Sequence, residues 1–262
     1  MKAQAFQLGH FLERRPEPQE ARMLGASTEL SPLMELAATL RDRGHGDVVT
    51  YSPKVFVPLT ALCRDVCHYC TFARQPRELI HTYLSESQVL EIAWAGKERG
   101  CHEVLFTLGD KPELRYRAAR EALETLGFDT TAQYLTHIAG RVFDQTGLLP
   151  HINAGILEAD EMAALREVSA SQGIMLESAA HRLSERGGPH YGSPDKQPKV
   201  RLANIELAGR LKIPFTTGIL IGIGENRAER IDSLLKIRAL HDRYGHIQEL
   251  IIQPFRAKPD TL

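Results

Sequence analysis

"KVFVPLTALCRDVCHYC" (Lys54–Cys70) runs from a β-rich segment straight into three of the chain's four cysteines, spaced C-x3-C-x2-C. Beyond Cys70 the chain alternates regularly between helical and strand patterns. The pattern predicts helices over Ser85–Gly100, Glu113–Gly127, Thr131–Gly147, Ala159–Gly173, Lys199–Lys212 and Asn226–Gly245. It predicts strands over Lys54–Leu62, His102–Gly109, Leu148–Gly155, Ile174–Ser178, Pro214–Gly222 and Ile247–Phe255. The helices read from apolar residues at helical spacing, such as Tyr134, Ile138 and Val142. Ser85 and Gln88 stand in capping-box spacing. Strands rich in Val, Ile and Leu between amphipathic helices argue for parallel pairing under a helical cover. About six β–α units form an open doubly wound sheet or a partial barrel, and periodicity leaves both open. In either, ligands gather at the C-terminal strand ends, and the cysteine loop falls at that edge.

Upstream, residues 1–22 are polar and broken by "RRPEPQE", which reads as a frayed or loosely docked arm before a core over residues 23–262. Ser31–Gly46 reads as a helix, with Ser31 as its cap and Gly46 as its stop. The 13-residue stretch "RGGPHYGSPDKQP" (Arg186–Pro198) reads as a loop.

The 262 residues are 43% hydrophobic and 25% charged, an ordinary globular composition. A formal net charge of −1 supplies no basic field toward nucleic acid or anionic membrane. The longest apolar runs, such as Ile213–Gly224, fall short of a membrane span. The N-terminus has no apolar signal region, so clustered thiols suggest the reducing cytoplasm.

Four readings compete for the cysteines. A disulfide framework fits poorly with an odd group of three and a reducing compartment. Structural zinc needs a fourth ligand, for which His68 or Cys101 could stand. His68 is strained inside the C-x2-C turn, and Cys101 belongs at the opposite end of the strands. Plain burial suits the polar loop badly. A 4Fe-4S cluster on three thiolates leaves one iron open to a small molecule.

Cys63, Cys67, Tyr69 and Cys70 together resemble the signature of the radical S-adenosylmethionine (SAM) enzymes. Beyond them, "VFVPLTALCRDVCHYCTFA", "FTLGDKPE", "LLPHINAG", "MLES", "GILIGIGE" and "QPFRAKPDT" resemble the deazaflavin-forming branch of that superfamily. The resemblance implies a partial (β/α)6 TIM-like barrel, a 4Fe-4S cluster on Cys63, Cys67 and Cys70, and SAM as second cofactor. It implies a lyase-type ring closure of a hydroxybenzyl adduct of 5-amino-6-(ribitylamino)uracil, with loss of ammonia. An external electron donor such as flavodoxin or ferredoxin, and a partner adduct synthase, are implied with it.

The same resemblance assigns roles. Tyr69 is the aromatic position beside the last ligand, near adenine. Gly109 and Asp110 match the turn that meets the methionyl amino group. Glu177 matches the acceptor for the SAM ribose, a task suited to a group that only accepts. Arg201 matches the partner of the SAM carboxylate, since a guanidinium suits a planar anion. Gly222 and Gly224 would make room for adenine, with Glu225 capping the next helix. Gln253 would face the cavity, and His151 would touch substrate or move a proton. Relatives of this type continue past the sixth strand, so a truncated substrate side is expected. The alternatives are an adduct synthase, a menaquinone-pathway relative, or a non-catalytic metal-binding scaffold. "GDKPE" and "FRAKPDT" favour the deazaflavin branch over the two related synthases.

Overall fold

The computed structural model describes residues 8–259 and 261. The first seven residues of the expected arm, and Asp260 of the last motif, lie outside them. Among the described residues six strands form one sheet in sequence order, and every pairing is parallel. They are β1 (Lys54–Val57), β2 (Glu103–Thr107), β3 (Leu149–Asn153), β4 (Ser171–Gly173), β5 (Phe215–Ile221) and β6 (Ile247–Pro254). Among the described residues β1 and β6 remain edges, so the fold is a partial barrel.

Among the described residues two α-helices precede the sheet, α1 (Pro18–Ala26) and α2 (Ser31–His45). Those that cover it are α3 (Glu86–Glu98), α4 (Arg117–Leu126), α5 (Thr131–Thr146), α6 (Ala159–Arg166), α7 (Pro198–Arg210) and α8 (Arg227–Tyr244). Strand side chains alternate faces. Val57, Val104, Phe106, Ile152, Phe215 and Ile219 therefore join Val89, Leu135, Ile138, Met162, Ile205 and Ile237 in one buried core. The other face carries polar residues. Lys54 pairs with Glu103 at 3.0 Å, His151 Nδ1 meets Ser171 Oγ at 2.6 Å, and Thr216 Oγ1 donates to Glu249 at 3.3 Å. A polar belt thus lines the inside of the sheet from β1 to β6.

Several elements depart from expectation. β1 stops at Val57, because Pro58 has no N–H to continue the ladder. The helix expected from Glu113 begins at Arg117. Glu113 is instead turned inward, accepting from the backbone N–H and hydroxyl of Thr131 at the start of α5. The fourth strand comes earlier than "IMLES" and α6 ends at Arg166. Ser171, Gln172 and Gly173 are polar or small yet buried, and Gln172 donates to the Met162 carbonyl, so the ladder starts there. Past Gly173 it is irregular, with Glu177 held to Ile219 by one bridge. Ser31 lies within α2 rather than capping it.

The upstream segment is docked rather than frayed over its described part. Leu8–Leu12 forms a 3-10 turn and α1 lies on α8. Arg22 pairs with Asp232 at 2.8 Å, and Arg238 donates to the Pro16 carbonyl at 2.6 Å. A Cβ on Gly25 would stand 2.4 Å from Ile231 Cγ1, so α1 needs its glycine to sit this close. Among the described residues no helix is long and apolar enough to cross a membrane.

Candidate functional site

The site is built on the rim, where the strands end. After β1 the chain enters the cysteine loop, which is tied on two sides. On one side stands the turn after β2. Asp110 N–H donates to Cys63 Sγ at 3.2 Å, and Arg64 N–H donates to the Asp110 carbonyl at 2.8 Å. A Cβ on Gly109 would lie 1.9 Å from the Leu62 carbonyl oxygen, so only glycine lets the two loops touch. On the other side stands the loop before α7. His68 N–H donates to Pro189 O at 2.9 Å, Val66 N–H donates to Ser193 Oγ at 3.0 Å, and Cys67 Sγ lies 3.6 Å from that hydroxyl.

Cys63, Cys67 and Cys70 are free thiols, partly buried on one loop. Burial pushes the Cys63 thiol up to about 12 and raises Cys67 as well. Three soft donors on one braced loop fit an iron–sulfur cluster, whose binding would displace the protons. Cys101 precedes β2, with its N–H on the Gly96 carbonyl, and so sits at the foot of the sheet.

Beside the thiols is a compact set of buried charges. Asp65, Asp110 and Asp195 bring carboxylate oxygens within 4.8 Å of one another. Asp110 accepts from the Ile156 N–H through both oxygens. Burial and then Asp195 push its carboxyl up to about 7. Arg64 pairs with Asp195 at 3.1 Å, and Asp195 N–H donates to Asp65 at 3.1 Å. Arg201 is buried behind this turn, donating to the Asp195 and Met175 carbonyls. Glu177 is buried and pairs with Lys196 at 2.6 Å. Burial works against the Glu177 charge, but Lys196 and Arg201 overcome it and hold the carboxyl below its usual range.

Tyr69 OH meets Nε2 of the buried His190 at 3.0 Å, and its ring packs edge-on against Phe255. Burial, then Lys196, lowers His190 to about 4. Gly222 and Gly224 have φ of 100° and 108°, while the nearest atoms to their would-be Cβ stand at an ordinary 3.7 Å. Backbone shape, rather than room, requires glycine there. Glu225 accepts from Gly222 N–H and Ile223 N–H and pairs with Arg230, so it closes the turn; Asn226 caps α8. Gln253 stands opposite Leu220 in the ladder and is exposed. His151 is buried in the polar belt, nearer the foot than the cysteines. Burial, and then Lys54, lowers its pKa.

The rim therefore gathers Cys63, Cys67, Cys70, Tyr69, Gly109, Asp110, Glu177 and Arg201, and leaves His151 deeper in the belt. Asp65, His190, Ser193, Asp195 and Lys196 escaped the sequence reading. The one signal for the last four was the long Gly/Pro-rich loop that carries them, the kind of loop that tends to be functional; Asp65 lies inside the cysteine loop itself.

The Radical SAM superfamily profile matches residues 57–237. The chain is 50% identical to an FO synthase of Mycobacterium tuberculosis (strain ATCC 25618 / H37Rv), over 91% of its own length and 30% of the relative's. It is 51% identical to the 7,8-didemethyl-8-hydroxy-5-deazariboflavin synthase of Methanopyrus kandleri, over 81% of its length and 64% of the relative's. Among solved structures, methylornithine synthase superposes with a TM-score of 0.71 at 20% identity, covering 97% of this chain and 69% of that one. The FeFe-hydrogenase maturase HydG from Carboxydothermus hydrogenoformans gives 0.75 at 18% identity, covering 97% and 58%. At these identities the structures speak for the fold alone.

Proposed function

Because this chain belongs to the radical SAM superfamily, a family that implies a 4Fe-4S cluster and SAM, we propose that its rim binds both for the ring closure that forms a deazaflavin. The observation that carries the reading is the braced loop of three thiols at the strand ends. The likeness to synthases of a deazariboflavin supports that product, and the substrate proposed with it is a hydroxybenzyl adduct of a ribitylaminouracil. The chain spans about 30% of the Mycobacterium relative and 64% of the Methanopyrus one, so the activity is proposed for the unit to which this core belongs.

Cys63, Cys67 and Cys70 hold the cluster in this reading. When bound, the cluster and SAM supply abstraction of a hydrogen atom from the substrate. The chain's own groups do the rest. Gly109 lets the backbone come close to the methionyl amino group, and Asp65, Asp110 and Asp195 stand together beside that turn. Arg201 supplies positive charge toward the carboxylate and braces the turn. Glu177 accepts from the ribose hydroxyls, while Tyr69, Gly222 and Gln253 flank the adenine side. Burial keeps His151 neutral, ready to take a proton from a substrate in the polar belt. Flavodoxin or ferredoxin as electron donor, a partner synthase for the adduct and a cytoplasmic setting belong to the same proposal.

The test is anaerobic reconstitution, then incubation with adduct, SAM and reductant. Deazaflavin fluorescence accompanied by 5'-deoxyadenosine is the expected result. A protein with full iron and sulfide that never cleaves SAM would overturn the reading.

A further inference from the structure

We propose that Lys196 is a positioning residue: its ammonium aims the Glu177 carboxylate, and through Glu177 it sets how tightly this chain grips SAM. The inference rests on the ribose role proposed for Glu177.

Glu177 is an unusual place for a side chain. Its φ is 63°, a left-handed conformation that residues other than glycine seldom adopt. Both of its backbone groups are committed to β5, its N–H to Gly218 O at 3.1 Å and its carbonyl to Leu220 N–H at 2.9 Å. The backbone therefore fixes where the side chain starts, and Lys196 fixes where it ends. Lys196 Nζ lies 2.6 Å from Oε1 of Glu177, with the two side chains only 14% and 10% exposed. That bond uses Oε1 and leaves Oε2 to accept from a ligand.

Lys196 is itself held. Its N–H donates to Ser193 O at 3.2 Å, closing a short turn over Pro194–Lys196. The turn is pinned from three directions, by Arg64 on Asp195, by Asp65 under the Asp195 N–H, and by Arg201 on the Asp195 carbonyl. Ser193 also touches the cysteine loop through Val66 and Cys67. A lysine on a braced turn gives up side-chain freedom before any ligand arrives, which lowers the ordering cost at binding. It also keeps a buried carboxylate ionised, the state in which both oxygens accept. A pair that served stability alone predicts otherwise, since apolar replacement of a buried pair is often neutral or stabilising.

The experiment is a double-mutant cycle on the reconstituted full chain, with SAM binding measured by equilibrium dialysis, iron per chain by assay, and melting temperature alongside. Glu177→Gln should weaken SAM at least about tenfold, and Lys196→Met about tenfold, both with unchanged iron. The double variant should be no weaker than Glu177→Gln, since Lys196 acts only through that carboxylate. Lys196→Arg, which keeps the charge, should stay within about threefold of the parent. Full additivity in the double variant, or unchanged affinity in Lys196→Met while Glu177→Gln weakens, overturns the inference and leaves the ribose reading standing. Loss of iron in both Lys196→Met and Lys196→Arg also overturns it, because the turn would then serve the cysteine loop. Unchanged affinity in Glu177→Gln overturns the ribose reading, and this inference with it.

Discussion

The foot and the rim of this sheet are built by opposite rules. At the foot, α3, α5 and α8 each end on a glycine with positive φ (Gly100, Gly147 and Gly245), and a strand begins within three residues. No atom outside their immediate chain neighbours stands within 4 Å of a Cβ built on any of the three. The solution is local and repeated. At the rim the cysteine loop is held by the turn after β2 and by the loop before α7. Asp65, Asp110, Asp195, Glu177 and Arg201 are all buried there. Burying charge costs free energy unless every charge is matched, so the rim is the part of the fold not optimised for stability alone. The difference teaches where to expect binding, and where a substitution spreads beyond its own residue.

The sharpest break of that contrast uses the thiols. Cys63→Ala, Cys67→Ala and Cys70→Ala should each abolish cluster assembly, while Cys101→Ala at the foot should keep full iron per chain. Equal loss in Cys101→Ala would make a four-cysteine site of it and erase the distinction between the two ends.

Glycine substitutions come next. Gly109→Ala drives a methyl into the backbone beside Cys63, with 1.9 Å to the Leu62 oxygen, and neither backbone can yield. It should lose most of its iron and several degrees of melting temperature. Gly147→Ala, in open space at the foot with φ 70°, should cost only about 1–2 kcal/mol and keep its iron.

Acid should reach the rim through His190. Its pKa is held at about 4 in the folded chain against an ordinary 6.5, so below pH 6.5 the unfolded state binds more protons. The stability is present above that pH and is lost as pH falls. Between pH 7.5 and 5.5 the loss from this residue is about 1 kcal/mol. Urea unfolding of the cluster-free chain at both pH values measures it, and His190→Gln should remove that share of the dependence.

The smallest effect belongs to the foot again. Lys54 and Glu103 lie 3.0 Å apart, but their side chains are 28% and 26% exposed, so water screens the pair. Lys54→Met should change unfolding free energy by less than about 1 kcal/mol.

The same contrast explains what could be read from the sequence. Foot turns were legible because a helix ending on glycine is a local statement, and Gly100, Gly147 and Gly245 ended helices where expected. The alternation of apolar strands and amphipathic helices carried the parallel sheet, and the thiol spacing carried the cluster reading. Lys196 and His190 were invisible because their meaning lies in Glu177 and Tyr69, some 20 and 120 residues away. Neighbouring residues in "PHYGSPDK" say loop and nothing more. β4 was misplaced for a related reason. Ser171 and Gln172 look like the end of a polar helix until Met162 and His151 satisfy them.

β6 makes concentration a variable for this chain. Seven of its eight residues face solvent, among them Leu250, Ile251 and Ile252 at 44%, 36% and 53% exposure. Glu249 is the only charge in "IQELIIQP", and among the described residues no strand pairs with its outer edge. An uncovered apolar edge is a template for another strand, whichever molecule supplies it. Colloidal behaviour should reflect it: light scattering that climbs with protein concentration, and falls when Ile252→Lys interrupts the stripe.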